Sequence, residues 1–149
     1  MLIRFAQEND IEQIARNNVQ LARISENRDI EFDQVVKGAR QVIEDRHKGF
    51  YVVAEKEYMI LGQILVTFEW SDWQAVNMWW LQSIYVKTEW RQKGILTKLL
   101  NFIYGLAARE NVTIFRLYVH KDNKKAIKIY ERMGMKKEPY TMYGHTIDI

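Results

Sequence analysis

Apolar positions along the chain fall into two rhythms, and each rhythm predicts a different element. Alternating or β-branched and aromatic-rich runs at residues 2–6, 50–55, 59–68 and 79–87 predict strands, with a turn at residues 56–58 making the second and third an antiparallel hairpin. Spacings of three and four residues predict helices. Ile11, Ile14, Ala15, Val19 and Ala22 mark the first; Phe32, Val35, Val36, Ala39, Val42 and Ile43 mark the second; Leu96, Leu99, Leu100, Ile103 and Ala107 mark the third. Asn9 or Asp10 can cap the first helix, with Glu12 placed as a capping-box acid for Asn9, and a polar break at residues 25–29 ends it. Arg46 and Lys48 followed by Gly49 close the second.

Farther on, Thr113, Phe115, Leu117 and Val119 alternate as in a strand over residues 112–120. Asp122 or Asn123 can cap a short helix running through Met133, with Ala126, Ile127, Tyr130 and Met133 on its inner side and Gly134 as its terminator. Residues 135–138 and 140–147 predict two final strands on either side of Pro139. The resulting order is β-α-α-β-β-β-α-β-α-β-β, an α/β layout.

Composition narrows the classes. A chain of 149 residues with 48% apolar side chains, and no linker-like Gly, Ser or Pro tract, suits one domain over residues 1–149. The absence of cysteine excludes disulfides, thiolate metal sites and a cysteine nucleophile. His47, His120 and His145 lack ligand-like spacing, so no metal is expected. No apolar run approaches the ~20 residues needed to span a bilayer, and no signal peptide is evident, so the expected location is cytoplasmic with no membrane partner. Residues 1–75 carry 9 Lys and Arg against 13 Asp and Glu, a net −4, whereas residues 76–149 carry 13 against 6, a net +7. A basic half suits a ligand bearing several phosphates, and an acidic half a cationic amine.

The chemistry concentrates between the strand at 79–87 and the helix after it. Arg91-Gln92-Lys93-Gly94-Ile95-Leu96 places a glycine where a turn becomes a helix, beside two basic side chains. Glycine lets the backbone approach a ligand, and the first helical amides have no internal partners. With the positive end of the helix dipole, these features make a site for a phosphate or pyrophosphate.

This turn resembles the R/Q-x-x-G-x-G/A pyrophosphate loop of the GNAT superfamily of acetyl-CoA-dependent N-acetyltransferases, here Arg91-x-x-Gly94-x-Leu96. Asn123, Ala126, Tyr130, Gly134 and Met135 resemble the second half of that pattern, N-x-x-A-x-x-x-Y-x-x-x-G-F/M. Residues 69–73 and 79–86 are similar to a bacterial GNAT subgroup. Leu96 departs from the usual Gly or Ala and bears on the path of the phosphates.

The resemblance implies a mixed, mostly antiparallel sheet with helices on both faces, and acetyl-CoA as cosubstrate. The pantetheine arm would lie between the strands at 79–87 and 112–120, pairing with the backbone around Ile84, Tyr85 and Val86. Amides and side chains from Arg91, Gln92, Lys93, Gly94, Ile95, Leu96 and Thr97 would hold the pyrophosphate. Asn123 and Ala126 would contact the coenzyme and Tyr130 would act as general acid on the departing thiolate. Gln82 stands where many relatives carry glutamate, and an amide accepts no proton at neutral pH. Glu69, Asp72 and His120 are therefore the candidate bases. Glu26, with Asp29 and Glu31 in the same loop, is placed toward the acceptor, and Trp70, Trp73, Trp80 and Gln82 toward the walls of its pocket.

Without a cysteine, and with no G-x-S-x-G elbow around Ser71 or Ser83, direct attack by the bound amine in a ternary complex is expected. The acceptor is a primary amine of a small molecule or protein; a homodimer is left open. One alternative is a coenzyme-binding or interaction module that keeps the fold without the chemistry, suggested by Gln82 and Leu96. A nucleic-acid partner is not expected, because the lysine-rich stretch from Lys121 to Lys137 carries no nucleic-acid motif.

Overall fold

The computed structural model describes residues 1–148, which form two compact units, Met1–Tyr118 and residues 119 onward. In the first unit β1 (Leu2–Phe5) is followed by helices α1 (Ile11–Glu26) and α2 (Phe32–Glu44), strands β2 (Phe50–Lys56), β3 (Met59–Ser71) and β4 (Val76–Val86), helix α3 (Ile95–Arg109) and a two-residue strand β5 (Phe115–Arg116). The sheet order is β1-β2-β3-β4-β5. The first four strands are antiparallel to their neighbours, and β4 and β5 are parallel.

Successive side chains of a strand point to opposite faces, and β2 uses both. Tyr51 and Val53 join Ile11, Ile14, Ala39 and Ile60 in a core under α1 and α2. On the other face Phe50 meets Phe5 and the buried Trp79 edge-on, at 5.4 and 5.3 Å, and Phe5 meets Phe102 of α3 at 5.8 Å. Helices thus cover both faces, as the resemblance implies. At Gly62 of β3 a Cβ would come within 3.1 Å of Ile95 and 3.3 Å of Leu99, so α3 seats almost directly on strand backbone.

The second unit contains α4 (Lys124–Arg132). Asn123 caps it, its Oδ1 accepting the Ala126 amide at 3.3 Å. Gly134, with φ of +93°, ends it while the Met135 amide donates to the Tyr130 carbonyl at 3.0 Å.

Several expectations are corrected. Residues 135–138 and 140–147 form no strand among the described residues, and Tyr140, Met142, Tyr143 and Ile147 are exposed. A strand is defined by its ladder with a neighbour, which the residue types along one stretch do not specify. The strand expected at 112–120 shrinks to Phe115–Arg116 for the same reason: only Phe115 and Arg116 have ladder partners in β4. The β3–β4 hairpin is longer than its apolar pattern suggests, taking in Trp70 and Ser71 on one side and residues 76–78 on the other.

Asp10 does not cap α1 with its side chain. It accepts two bonds from Arg4, at 2.7 and 3.0 Å, and the Gln7 amide at 2.7 Å. Burial alone would raise its pKa, but the Arg4 and Gln7 bonds outweigh that and hold it below the usual carboxylate value. A carboxyl depressed on folding adds stability above its unfolded pKa, lost as pH falls through the folded one. Asp10→Asn is therefore expected to cost about 1–2 kcal/mol at neutral pH, checked by urea unfolding. The gap to wild type should close in acid, once the native carboxyl is itself protonated.

Candidate active site

Helix α3 begins in an unusual way. Gly94, at φ of +81°, is its N-cap, with no side-chain cap bond and no acidic residue in the first turn. The first intrahelical amide to find an acceptor is that of Lys98, which donates to the Gly94 carbonyl at 3.1 Å. The amides of Ile95, Leu96 and Thr97 precede it and have no acceptor within the helix, so their partial positive charge is presented outward. Gln92 is also left-handed, at φ of +62°. A Cβ placed on Gly94 would meet nothing within 4 Å, so the space before these amides is open.

The flanking cations stand to the sides. Arg91 Nε donates to the Val86 carbonyl at 2.9 Å, and its guanidinium lies 5.7 Å from the Tyr85 ring. Lys93 lies over one aromatic neighbour, Trp90, at 4.9 Å, with Lys56 over the same ring at 5.0 Å. Ile95 is buried, Leu96 half-buried and Thr97 exposed, so the bulky residue at the last loop position is partly taken up by packing.

Before this helix, β4 parts from its neighbour. Its ladder with β5 holds only Trp79 opposite Phe115 and Trp80 opposite Arg116, which leaves residues 81–86 without a strand partner on that side. Toward β3 the register shifts: Gln63 lies opposite Tyr85 but Leu65 opposite Gln82, so Ser83 and Ile84 together face the single residue Ile64. This is a β-bulge, and Ser83 carries it at φ of +48°. Ile84 and Val86 are half-buried on the free run, and Tyr85 is buried.

One face of the β3–β4 hairpin gathers three of the residues singled out from sequence. Glu69 Oε1 accepts the Trp80 indole N–H at 2.8 Å, and its other oxygen lies 3.4 Å from Arg116 Nη1. Gln82 donates to Thr67 Oγ1 at 2.6 Å. Trp80 also meets the ring of Tyr118 at 6.0 Å. Arg116, Tyr118 and Thr67 were not anticipated, because no local pattern announces a partner 47 residues away.

The remaining candidates lie elsewhere. Asp72 and Trp73 occupy the exposed hairpin turn, Trp73 being 94% exposed. Trp70, one residue on from Glu69, points to the opposite sheet face and is exposed. Glu26 is the exposed last residue of α1, before the Arg23–Asp29 ion pair.

In the second unit, burial pushes the Tyr130 phenol up to about 12. Ala126 and Asn123 are half-buried beside it on α4, one and two turns earlier, and the Asn123 side chain is engaged as the cap. His120 is exposed, with its ring nitrogen 3.2 Å from the Asp122 amide.

A strand that parts from a parallel neighbour, followed at once by a glycine-opened helix, is the arrangement of an acetyltransferase fold built to hold an acyl-coenzyme A. The Acetyltransferase (GNAT) family model matches residues 10–135, and the chain belongs to that family. It is similar over 99% of its length to the crystal structure of a possible acetyltransferase from Clostridium difficile 630, at 37% identity and a TM-score of 0.91, covering 98% of that chain. A predicted acetyltransferase from Clostridium acetobutylicum, solved with acetyl-CoA, shares the fold at a TM-score of 0.78 and 14% identity, with 97% of this chain and 95% of that one covered. Among curated proteins, the thialysine N-epsilon-acetyltransferase of Mus musculus is 34% identical over 76 residues, 51% of this chain and 44% of the mouse protein. The matched region thus spans under half the length of that relative. No helix among the described residues is long and apolar enough to cross a membrane.

Proposed function

We propose that the protein transfers an acetyl group from acetyl-CoA to a primary amine, by direct attack of the amine in a ternary complex. The observation that carries this reading is the junction of the unpartnered β4 run with the uncapped start of α3. The residues present fit the coenzyme: strand backbone at Ile84, and at Val86, whose carbonyl also accepts the Arg91 Nε–H, can pair with the amides of a pantetheine arm as an added strand would. Open amides from Gln92 to Thr97, with Arg91 and Lys93 alongside, suit a pyrophosphate. When bound, acetyl-CoA supplies the thioester carbon that the amine attacks.

The protein must then handle two protons. A lysine-like amine, of pKa ~10.4, is almost entirely charged at neutral pH, so a base must relieve it of a proton. Of the three candidates we assign this to Glu69, directly or through a water, because it alone shares a sheet face with Gln82 and Trp80. Its bond to the Trp80 indole and its contact with Arg116 fix the carboxylate in place. The second proton concerns the departing thiolate, and we assign Tyr130 to it. A phenol held at about 12 keeps its proton at every physiological pH and will not surrender it outright to a thiolate whose conjugate thiol has an ordinary pKa of ~8.5. Its part is a hydrogen bond to the developing thiolate.

The curated relatives point to the acceptor class: a small primary amine on a lysine-like side chain. The test is thiol release from acetyl-CoA across a panel of amines that includes lysine and thialysine. Amine-dependent release is the expected result. Thermal stabilisation by acetyl-CoA with no release from any amine would instead favour a binding module, and would make the Gln82–Thr67 bond the mark of lost chemistry.

A further inference from the structure

Two lysines from separate parts of the chain converge on one indole. Lys56 is the last residue of β2, and Lys93 precedes the glycine that opens α3. Their ammonium groups lie 5.0 and 4.9 Å from the centre of the Trp90 ring, and both side chains are exposed. Neither ammonium has a carboxylate partner among the described residues, although Glu57 and Glu89 stand close in sequence. An indole face attracts a cation without neutralising it. Two like charges gathered at one ring repel each other, and an anion that meets both relieves that repulsion.

The turn that carries Lys56 is strained. Lys56 pairs with Met59 across it, and the two residues between them, Glu57 and Tyr58, are left-handed at φ of +51° and +66°. Turns of this kind favour Asn-Gly. Tyr58 is 89% exposed, so packing of its ring does not hold the conformation. Gln13 of α1 does: its Nε2 donates to the Tyr58 carbonyl and its Oε1 accepts the Ile60 amide, each at 2.9 Å. Strained backbone kept in place by its surroundings is a feature of ligand clamps. Farther along β3, Leu61 is the extra residue of a bulge, and its carbonyl accepts the Lys87 amide at 2.8 Å. The Lys87 carbonyl in turn accepts the Trp90 amide at 2.8 Å. The turns bearing Lys56 and Trp90 are thereby tied to one strand, around a cavity of about 170 Å³ lined by Lys56, Glu57, Met59, Leu61 and Trp90.

We propose that Lys56, together with Lys93, holds the phosphate monoester on the ribose of the acyl-coenzyme, and so makes the protein prefer the 3′-phosphorylated coenzyme. The proposal rests on the reading that the start of α3 grips the diphosphate. Coenzyme A carries the monoester only a few bonds from that diphosphate, and Lys93 adjoins Gly94, so a molecule seated on the Ile95, Leu96 and Thr97 amides has its monoester within reach of the lysines. With a second pKa of about 6, a phosphate monoester is close to doubly charged at neutral pH. Two compact ammonium groups match that charge better than one.

The experiment titrates acetyl-CoA and acetyl-3′-dephospho-CoA into wild type and Lys56→Met by calorimetry. Wild type should bind acetyl-CoA about 5- to 10-fold more tightly than the dephospho form, the size of two exposed ion pairs. Lys56→Met should lose about 3-fold for acetyl-CoA and nothing for the dephospho form, and Lys56→Arg should keep most of the preference. Lys98→Met removes an exposed positive charge from the first turns of α3 while both lysines over Trp90 remain, and should leave the preference as in wild type. An equal loss for both coenzymes in Lys56→Met is what a merely structural role in the turn would give, and it overturns the proposal. So does a narrowing as large in Lys98→Met, which would mark a general effect of charge. If Lys56→Met does not fold, Lys56→Gln decides by the same comparison. Wild type that binds both coenzymes equally overturns this inference alone; wild type that binds neither overturns the coenzyme reading with it.

Discussion

Gly94→Val is expected to weaken acetyl-CoA binding by about 10²-fold while leaving a folded protein, a loss of roughly 3 kcal/mol on the affinity scale. Two effects combine. A β-branched residue at φ of +81° is strained by about 1–3 kcal/mol, which will pull the turn toward another backbone path and move the Ile95, Leu96 and Thr97 amides. A Cβ there also meets no atom beyond its chain neighbours within 4 Å, so the added side chain enters open space beside the amides that the proposed reading gives to a phosphate. Gly94→Ala should fall between the two. Calorimetric titration with acetyl-CoA, alongside thermal unfolding of the free protein, separates the effects: folding senses only the strain, binding senses both. Wild-type affinity in the valine variant would move the phosphate site away from α3.

Tyr130→Phe should leave coenzyme affinity within a few-fold and lower kcat by about 10²-fold, the lower end for a group that stabilises a leaving atom. The pH dependence gives a second reading. Because the phenol is held at about 12, wild-type turnover should show no loss attributable to Tyr130 until pH nears that value. The linkage has the same sign. A phenol whose pKa is raised on folding contributes stability that is intact below the unfolded value of ~10 and is lost as pH climbs through the folded one. Unchanged kcat in the phenylalanine variant would remove Tyr130 from the chemistry.

How far the sequence disclosed this molecule depended on whether a feature is local. The junction at Gly94 was legible because a left-handed residue opening a helix has its own residue preference, and the cap at Asn123 for the same reason. The face shared by Glu69, Trp80 and Gln82 was only half legible. The residues could be named, but Arg116 and Thr67 meet them through strand register, which no single stretch encodes. The last two expected strands failed in the opposite way: residues 135–138 and 140–147 carry strand-compatible side chains, yet they form no strand among the described residues. Asp10 looked like a cap because its type and place fit, and the longer-range attraction of Arg4 won. The buried Gln63, bonded to Asn17 and Asn18 of α1, did leave one trace, a glutamine inside the apolar run from Met59 to Val66, which a search for polar residues in buried strands would have flagged.

The close seating of α3 on Gly62 has a bearing on how this site can vary. Because the start of that helix rests on the sheet, with Ile95 and Leu99 close to the strand backbone at Gly62, the Ile95, Leu96 and Thr97 amides take their position from β3 as well as from the turn at Gly94. Changes of charge at Arg91 and Lys93 should then alter how strongly an anion is held, while those three amides keep their footing on the sheet. A side chain at position 62 would instead press on Ile95 and Leu99 and is expected to shift the start of the helix.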